Sequence, residues 1–137
     1  MSSPLIMVID DDPNIRSALS DLLRDENYRV RAIADGSEAL AYLSAEELPD
    51  LILLDLMMPI VDGWRFRAEQ MMNPELAAIP VIIITAALAD ERTADLGVEI
   101  VRKPFDTCAL LSLIRHHCTR VDQGRAPSDR SDAPARA

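Results

Sequence analysis

The sequence predicts an α/β fold in which five parallel strands alternate with five helices. Short apolar runs alternate with segments of helical periodicity along most of the chain. Two of the runs, at 51–54 and 81–84, are apolar at every position, which is typical of strands buried on both faces of a parallel sheet. With right-handed crossovers, these features predict a flavodoxin-like doubly wound sheet with strand order 2-1-3-4-5.

Five apolar segments have the length and composition of β-strands. They are Leu5–Ile9, Arg29–Ile33, Leu51–Leu54, Val81–Thr85 and Glu99–Arg102. The second strand is less apolar than the first, so we expect it to lie nearer an edge of the sheet.

Helix signals separate the first three strands. Asp12 and Pro13 provide an N-cap followed by proline at the first helical position, and the apolar periodicity continues to about Glu26. Asp35 begins a sequence similar to a capping box, with Asp in place of Ser or Thr. The helix that it opens should end before Pro49.

Three further helices are predicted in the second half. One begins at the Asp62-Gly63 turn and runs to about Met72, where an Asn-Pro pair breaks it. A short, weakly patterned helix at 89–96 ends at Gly97. The last helix runs from about 106 to 120, with an apolar face.

Composition limits the class of protein. The 137 residues are enough for one domain, predicted at 4–121, and the polar segment 122–137 has the composition of a disordered tail. The formal charge of −9 argues against nucleic-acid or anionic-membrane partners. Cys108 and Cys118 lie on one predicted helix and cannot bridge. Without a signal peptide or an apolar run long enough for a membrane span, we expect a cytoplasmic protein.

The predicted strand order brings together the carboxyl ends of strands 1, 3, 4 and 5. The polar residues at those ends are Asp10, Asp11, Asp12, Asp55, Thr85 and Lys103. Taken singly, each is commonly a cap, a β-former or a solvated side chain. Together, the carboxylates suit Mg²⁺ or Mn²⁺, and a metal-held carboxylate can attack a phosphoryl group. A hydroxyl and an ammonium are what phosphoryl oxygens need nearby, so the set predicts acyl-phosphate chemistry on an aspartate.

Four ordered motifs carry a resemblance to a known family. They are Val8-Ile9-Asp10-Asp11-Asp12-Pro13, residues 50–59 with Asp62-Gly63, Ile83-Ile84-Thr85-Ala86, and Lys103-Pro104-Phe105. Over about residues 4–120 the chain resembles the receiver domain of two-component response regulators.

That resemblance implies a role for each matched residue. Asp55 would accept a phosphoryl group from the phosphohistidine of a histidine kinase or phosphotransfer protein. Asp11, Asp55 and the Met57 carbonyl would ligate Mg²⁺ directly, and Asp10 would act mainly through water. Thr85 would hold the phosphoryl group.

The remaining matched residues complete the implied site. Ala86 would lie beside the phosphoryl group, Lys103 would contact its oxygens, and the Lys103-Pro104 bond would be cis. Such a domain catalyses only its own phosphorylation and dephosphorylation, and we expect a monomer or weak dimer.

The match departs from the family at its switch region. The family's aromatic switch residue lies three positions before the lysine, where this chain has Ile100. The segment between Thr85 and Lys103 is also short by roughly one helical turn, so the fourth helix should be short. We therefore expect an atypical readout of phosphorylation.

The motifs favour one function and leave two alternatives open. We expect a stand-alone receiver that acts through an unknown downstream protein or a phosphorelay, because no output domain is evident after residue 120. One alternative is a phosphorylation-independent scaffold. Another is a hydrolase of the haloacid-dehalogenase type, whose nucleophile would be Asp10. Asn14, where that class carries Thr or Val, argues against the hydrolase.

Overall fold

The computed structural model describes residues 3–45, 47–56, 63–86 and 98–124. Internal contacts divide the chain into two units, Met1–Phe105 and Asp106–Ala137. The first contains the whole β-sheet, and the second contains the final helix.

The first unit is built on one five-stranded sheet. Its strands are β1 (Leu5–Ile9), β2 (Arg29–Ile33), β3 (Leu51–Leu54), β4 (Val81–Thr85) and β5 (Glu99–Arg102). They lie in the order β2-β1-β3-β4-β5, and every pair is parallel. The predicted fold class and strand order are confirmed.

Five helices lie within the described residues. They are α1 (Pro13–Asp25), α2 (Gly36–Ala45), α3 (Gly63–Met71), α4 (Pro74–Ala77) and α5 (Thr107–Gly124). The short α4 was not predicted. The Asn73 side chain accepts a hydrogen bond from the Glu75 amide and Pro74 follows the cap, so the Asn-Pro pair that ends α3 also begins α4.

Buried residues lie on both faces of the sheet. On one face, alternate residues of β1, β3 and β4 pack with α2, α3 and α4 around the fully buried Phe66. The intervening strand residues, including Ile6 and Val8, are equally buried. Helix α1 contacts β1 and β2, and its buried Leu19 and Leu23 are not part of the first cluster. Helices therefore cover both faces, as in a doubly wound fold.

Gln70 is a polar residue inside the first core. It is fully buried, and its Nε2 donates to the carbonyls of Leu76 (2.7 Å) and Ile79 (3.1 Å). Its Oε1 accepts from Nη1 of Arg67 at 2.9 Å. The side chain therefore satisfies carbonyls of the segment between α3 and β4, which would otherwise be costly to bury.

Helix α5 extends further than the sequence predicted. It runs to Gly124, so residues 122–124, which the sequence predicts to be part of the tail, are helical. No proline or glycine interrupts the chain between the predicted end and Gly124, so nothing forces an earlier stop. The rest of the predicted tail, 125–137, and the predicted helix at 89–96 lie outside the described residues.

Candidate phosphoacceptor site

The main chain carries the β-ladder one residue past the end of three strands. Asp10 N–H donates to the Ile33 carbonyl (3.1 Å), and Asp55 N–H donates to the Ile9 carbonyl (2.9 Å). Lys103 N–H donates to the Thr85 carbonyl at 2.9 Å. Each of these three side chains therefore leaves the sheet from a hydrogen-bonded position, which limits its movement.

Three carboxylates come together at this edge of the sheet. One oxygen from each of Asp10, Asp11 and Asp55 lies within 4.8 Å of the others. Asp10 exposes only 2% and Asp55 only 4% of its surface, whereas Asp11 is exposed. Buried carboxylates are costly unless a counter-charge or hydrogen bonds compensate them.

Lys103 supplies one such counter-charge. Its Nζ lies 2.8 Å from Oδ2 of Asp10 and 3.8 Å from Oδ2 of Asp55. Partial burial is the largest single influence on the Lys103 pKa and lowers it. The hydrogen bond to Asp10 and the negative charges of Asp55, Asp10 and Asp12 together outweigh burial, so the net effect raises the pKa. Lys103 is therefore fully charged at neutral pH.

Thr85 ends β4 next to Arg102 of β5 and is completely buried. Ala86 follows it and is exposed. The peptide bond between Lys103 and Pro104 is cis. These residues lie at the same ends of neighbouring strands, so the topology places them at the edge that carries the carboxylates.

Every polar group of Asp10 takes part in a hydrogen bond. In addition to its backbone N–H, its Oδ1 accepts from the Asp12 amide at 2.9 Å and its Oδ2 accepts from Lys103. Its carbonyl accepts from Nη1 of Arg16 at 2.7 Å. The sequence analysis did not identify Arg16. The only signal in the sequence is a positive charge in the first turns of α1, where the helix dipole disfavours it.

The resemblance to receiver domains also implies roles for Ile100, at the switch position, and for the Met57 carbonyl, as a metal ligand. Ile100 is partly buried and packs against the core that contains Phe66, opposite Ile83 in the register of β4 and β5. An aliphatic side chain therefore occupies the position at which the resemblance to receiver domains implies an aromatic one. Met57 lies outside the described residues.

The charges of the cluster fit a divalent cation. Three carboxylates face one lysine ammonium, a formal excess of two negative charges among these four side chains. All the clustered acidic ligands are oxygens, and one of the three residues is exposed, which leaves a path for an ion. Oxygen ligands of this kind suit Mg²⁺ or Mn²⁺.

Comparison with known families decides the class. The family model described as the response regulator receiver domain matches residues 6–115. The chain belongs to this family. Receiver domains are signalling modules of two-component systems, and the family is generally not one of catalytic enzymes. Among the described residues, no helix has the length and apolar character needed to cross a membrane.

Individual relatives differ in length. Protein Rrf1 of Nitratidesulfovibrio vulgaris is 31% identical over 131 residues, which cover 95% of this chain and 94% of that protein. The DNA-binding dual master transcriptional regulator RpaA of Synechocystis is 36% identical over 124 residues. That match covers 88% of this chain but only 51% of RpaA, so the receiver domain spans about half of that relative.

One similar receiver domain has been solved with a metal ion bound. The receiver domain of the sensor histidine kinase PA1611 from Pseudomonas aeruginosa has 26% sequence identity and a TM-score of 0.77. The match covers 85% of this chain and 98% of that one. Its structure contains a magnesium ion coordinated in the active-site cleft.

Proposed function

We propose that this receiver domain accepts a phosphoryl group on Asp55 from the phosphohistidine of a histidine kinase or a histidine phosphotransfer protein. The observation that carries the proposal is the position of Asp55. Its nearly buried carboxylate ends the central strand β3, within 4.8 Å of two other acids and 3.8 Å from Lys103. This is the arrangement that a nucleophilic carboxylate needs to receive an anionic group.

The transfer exchanges one bond for another. An Asp55 oxygen attacks phosphorus as the bond from phosphorus to the donor's imidazole nitrogen breaks, and the imidazole leaves with the electron pair and is then protonated. The product is an acyl phosphate on Asp55. Lys103 pairs with a phosphoryl oxygen, and the Thr85 hydroxyl donates a hydrogen bond to another.

Asp11 and Asp55 would bind Mg²⁺ directly, together with the Met57 carbonyl. Asp10 would contribute mainly through water, as the resemblance to receiver domains implies, and its two oxygens also accept hydrogen bonds from Asp12 and Lys103. The bound ion supplies positive charge that offsets the carboxylates and the incoming phosphoryl oxygens. Mn²⁺ has similar preferences and should substitute.

The same contacts argue against the hydrolase alternative. A haloacid-dehalogenase-type reaction needs Asp10 as its nucleophile. Both Asp10 oxygens are engaged by donors that hold electron density away from a reacting phosphorus. These contacts disfavour Asp10 as the nucleophile, and catalysis is proposed to be limited to the domain's own phosphorylation and dephosphorylation.

The output is proposed to be a protein–protein interaction or a further phosphoryl transfer in the cytoplasm. Neither Cys108 nor Cys118 forms a disulfide within the described residues, which fits a reducing compartment. Ile100 packs in the core without an aromatic ring, so the phosphorylated surface should differ from that of relatives with an aromatic switch.

The experiment that tests the proposal is intact mass spectrometry after incubation with phosphoramidate. With Mg²⁺ present, we expect the mass of one phosphoryl group to be added and then removed by hydroxylamine, which cleaves acyl phosphates. With a chelator in place of Mg²⁺, no gain is expected, because the uncompensated carboxylates repel the donor. No gain by folded protein in Mg²⁺ would contradict the proposal and favour the scaffold.

A further inference from the structure

A closed ring of hydrogen bonds joins Arg16 to the two residues on either side of Asp11. The Asp12 amide donates to Oδ1 of Asp10 at 2.9 Å, and Arg16 N–H donates to the Asp12 carbonyl at 3.0 Å. Nη1 of Arg16 completes the ring by donating to the Asp10 carbonyl at 2.7 Å. The residues on either side of Asp11 are thus fixed to each other through the first turn of α1.

Asp11 itself depends on that ring for its position. Its side chain is exposed, and among the described residues its carboxylate has no hydrogen-bond or ion-pair partner. The position of its Cβ atom, from which the carboxylate extends, is therefore set by its backbone alone. The Asp10-Asp11 peptide carries the carbonyl that Arg16 holds, so rotation of this peptide would move the Asp11 carboxylate relative to Asp55.

We propose that Arg16 is a positioning residue for the cation site. By holding the Asp10 carbonyl, it keeps the Asp11 carboxylate where it can share an ion with Asp55. This inference rests on the proposed function, because it assumes that the acidic cluster binds a divalent ion. Helix stability does not explain Arg16, since a cation near the amino end of α1 opposes the helix dipole.

A positioning role and a simple charge role predict opposite changes in cation affinity when Arg16 is replaced. Arg16 carries a positive charge next to the cluster, and positive charge repels a divalent ion. If charge were its whole effect, removing it would strengthen cation binding. If Arg16 positions Asp11, removing it should weaken cation binding about tenfold, the lower end of the range for residues that orient metal ligands.

The test measures Mn²⁺ binding by the electron paramagnetic resonance signal of the free ion, with no phosphodonor present. Arg16→Met is expected to bind Mn²⁺ about tenfold more weakly than wild type. Arg16→Lys, which keeps the charge and one donor, should fall between the two. Arg24→Met removes an exposed arginine from the last turn of the same helix and should bind like wild type.

Each outcome decides between the hypotheses. Unchanged or tighter binding by folded Arg16→Met overturns the positioning role and leaves the proposed function intact. If circular dichroism shows that Arg16→Met is unfolded, Arg16→Lys decides, because binding equal to wild type would overturn the role. Wild-type protein that binds no Mn²⁺ and accepts no phosphoryl group overturns the proposed function and this inference together.

Discussion

Asp55→Asn is expected to abolish phosphoryl uptake completely. The amide has nearly the shape of the carboxylate, so the site at the end of β3 is retained, but it lacks a nucleophilic oxygen of comparable strength. The stability of the fold should be retained. Removing the buried charge relieves repulsion from Asp10 and Asp11, and this offsets the lost attraction to Lys103. The measurement is intact mass with phosphoramidate and Mg²⁺, alongside thermal unfolding of the same sample.

A charge-matched control separates the nucleophile from net charge. Asp21→Asn removes an exposed carboxylate from α1, and it should take up one phosphoryl group like wild type. Uptake by Asp55→Asn at the wild-type rate would show that another residue is the acceptor.

Lys103→Met is expected to lower the free energy of unfolding by about 2–3 kcal/mol when no metal is present. The substitution leaves the buried Asp10 carboxylate without its 2.8 Å partner, and breaking a fully buried pair typically costs about 3–5 kcal/mol. We expect less here because the Lys103 side chain is still 17% exposed. Denaturant unfolding at neutral pH, with a chelator, measures the difference.

Two comparisons test the cause of that loss. Adding Asp10→Asn to Lys103→Met removes the stranded charge and should recover most of the lost stability. Arg29→Met breaks the exposed ion pair with Glu47 and should cost less than about 1 kcal/mol, since both side chains face solvent. Equal losses for Lys103→Met and Arg29→Met would contradict the account of a buried pair.

The pH dependence of the Lys103 effect has a definite sign. The folded protein raises the Lys103 pKa above the ordinary value of 10.5, so the stabilisation is fully present below that pH. It is lost as the pH rises through the higher value of the folded protein. The difference between wild type and Lys103→Met should therefore be constant near neutrality and shrink only above about pH 10.5.

Much of the fold and the acidic cluster could be predicted from local patterns. The apolar runs predict the strands, and the Asp-Pro pair predicts the start of α1, where Asp12 accepts from the amides of Asn14 and Ile15. Because the carboxyl ends of parallel strands meet at one edge, strand order alone brings Asp10 and Asp55 together.

Other features depend on contacts that no local pattern encodes. Arg16 and Gln70 matter because their side chains reach particular backbone carbonyls, and helical periodicity does not show where a long side chain ends. The pairing of Lys103 with Asp10 joins residues 93 positions apart, and the sequence indicated only that both lie at strand ends. Helix α4 is not predicted from the sequence because an Asn-Pro pair signals the end of the preceding helix as well as the start of a new one.

The central claim is that Asp55, and not Asp10, carries the phosphoryl group. The most direct measurement is tandem mass spectrometry of protein that has been phosphorylated with Mg²⁺ and phosphoramidate and then reduced with borohydride, which converts an acyl phosphate to an alcohol. We predict that the residue so converted is Asp55 and that Asp10 remains an aspartate. Conversion of Asp10, with continued turnover of the donor by Asp55→Asn, would contradict the account and identify a hydrolase.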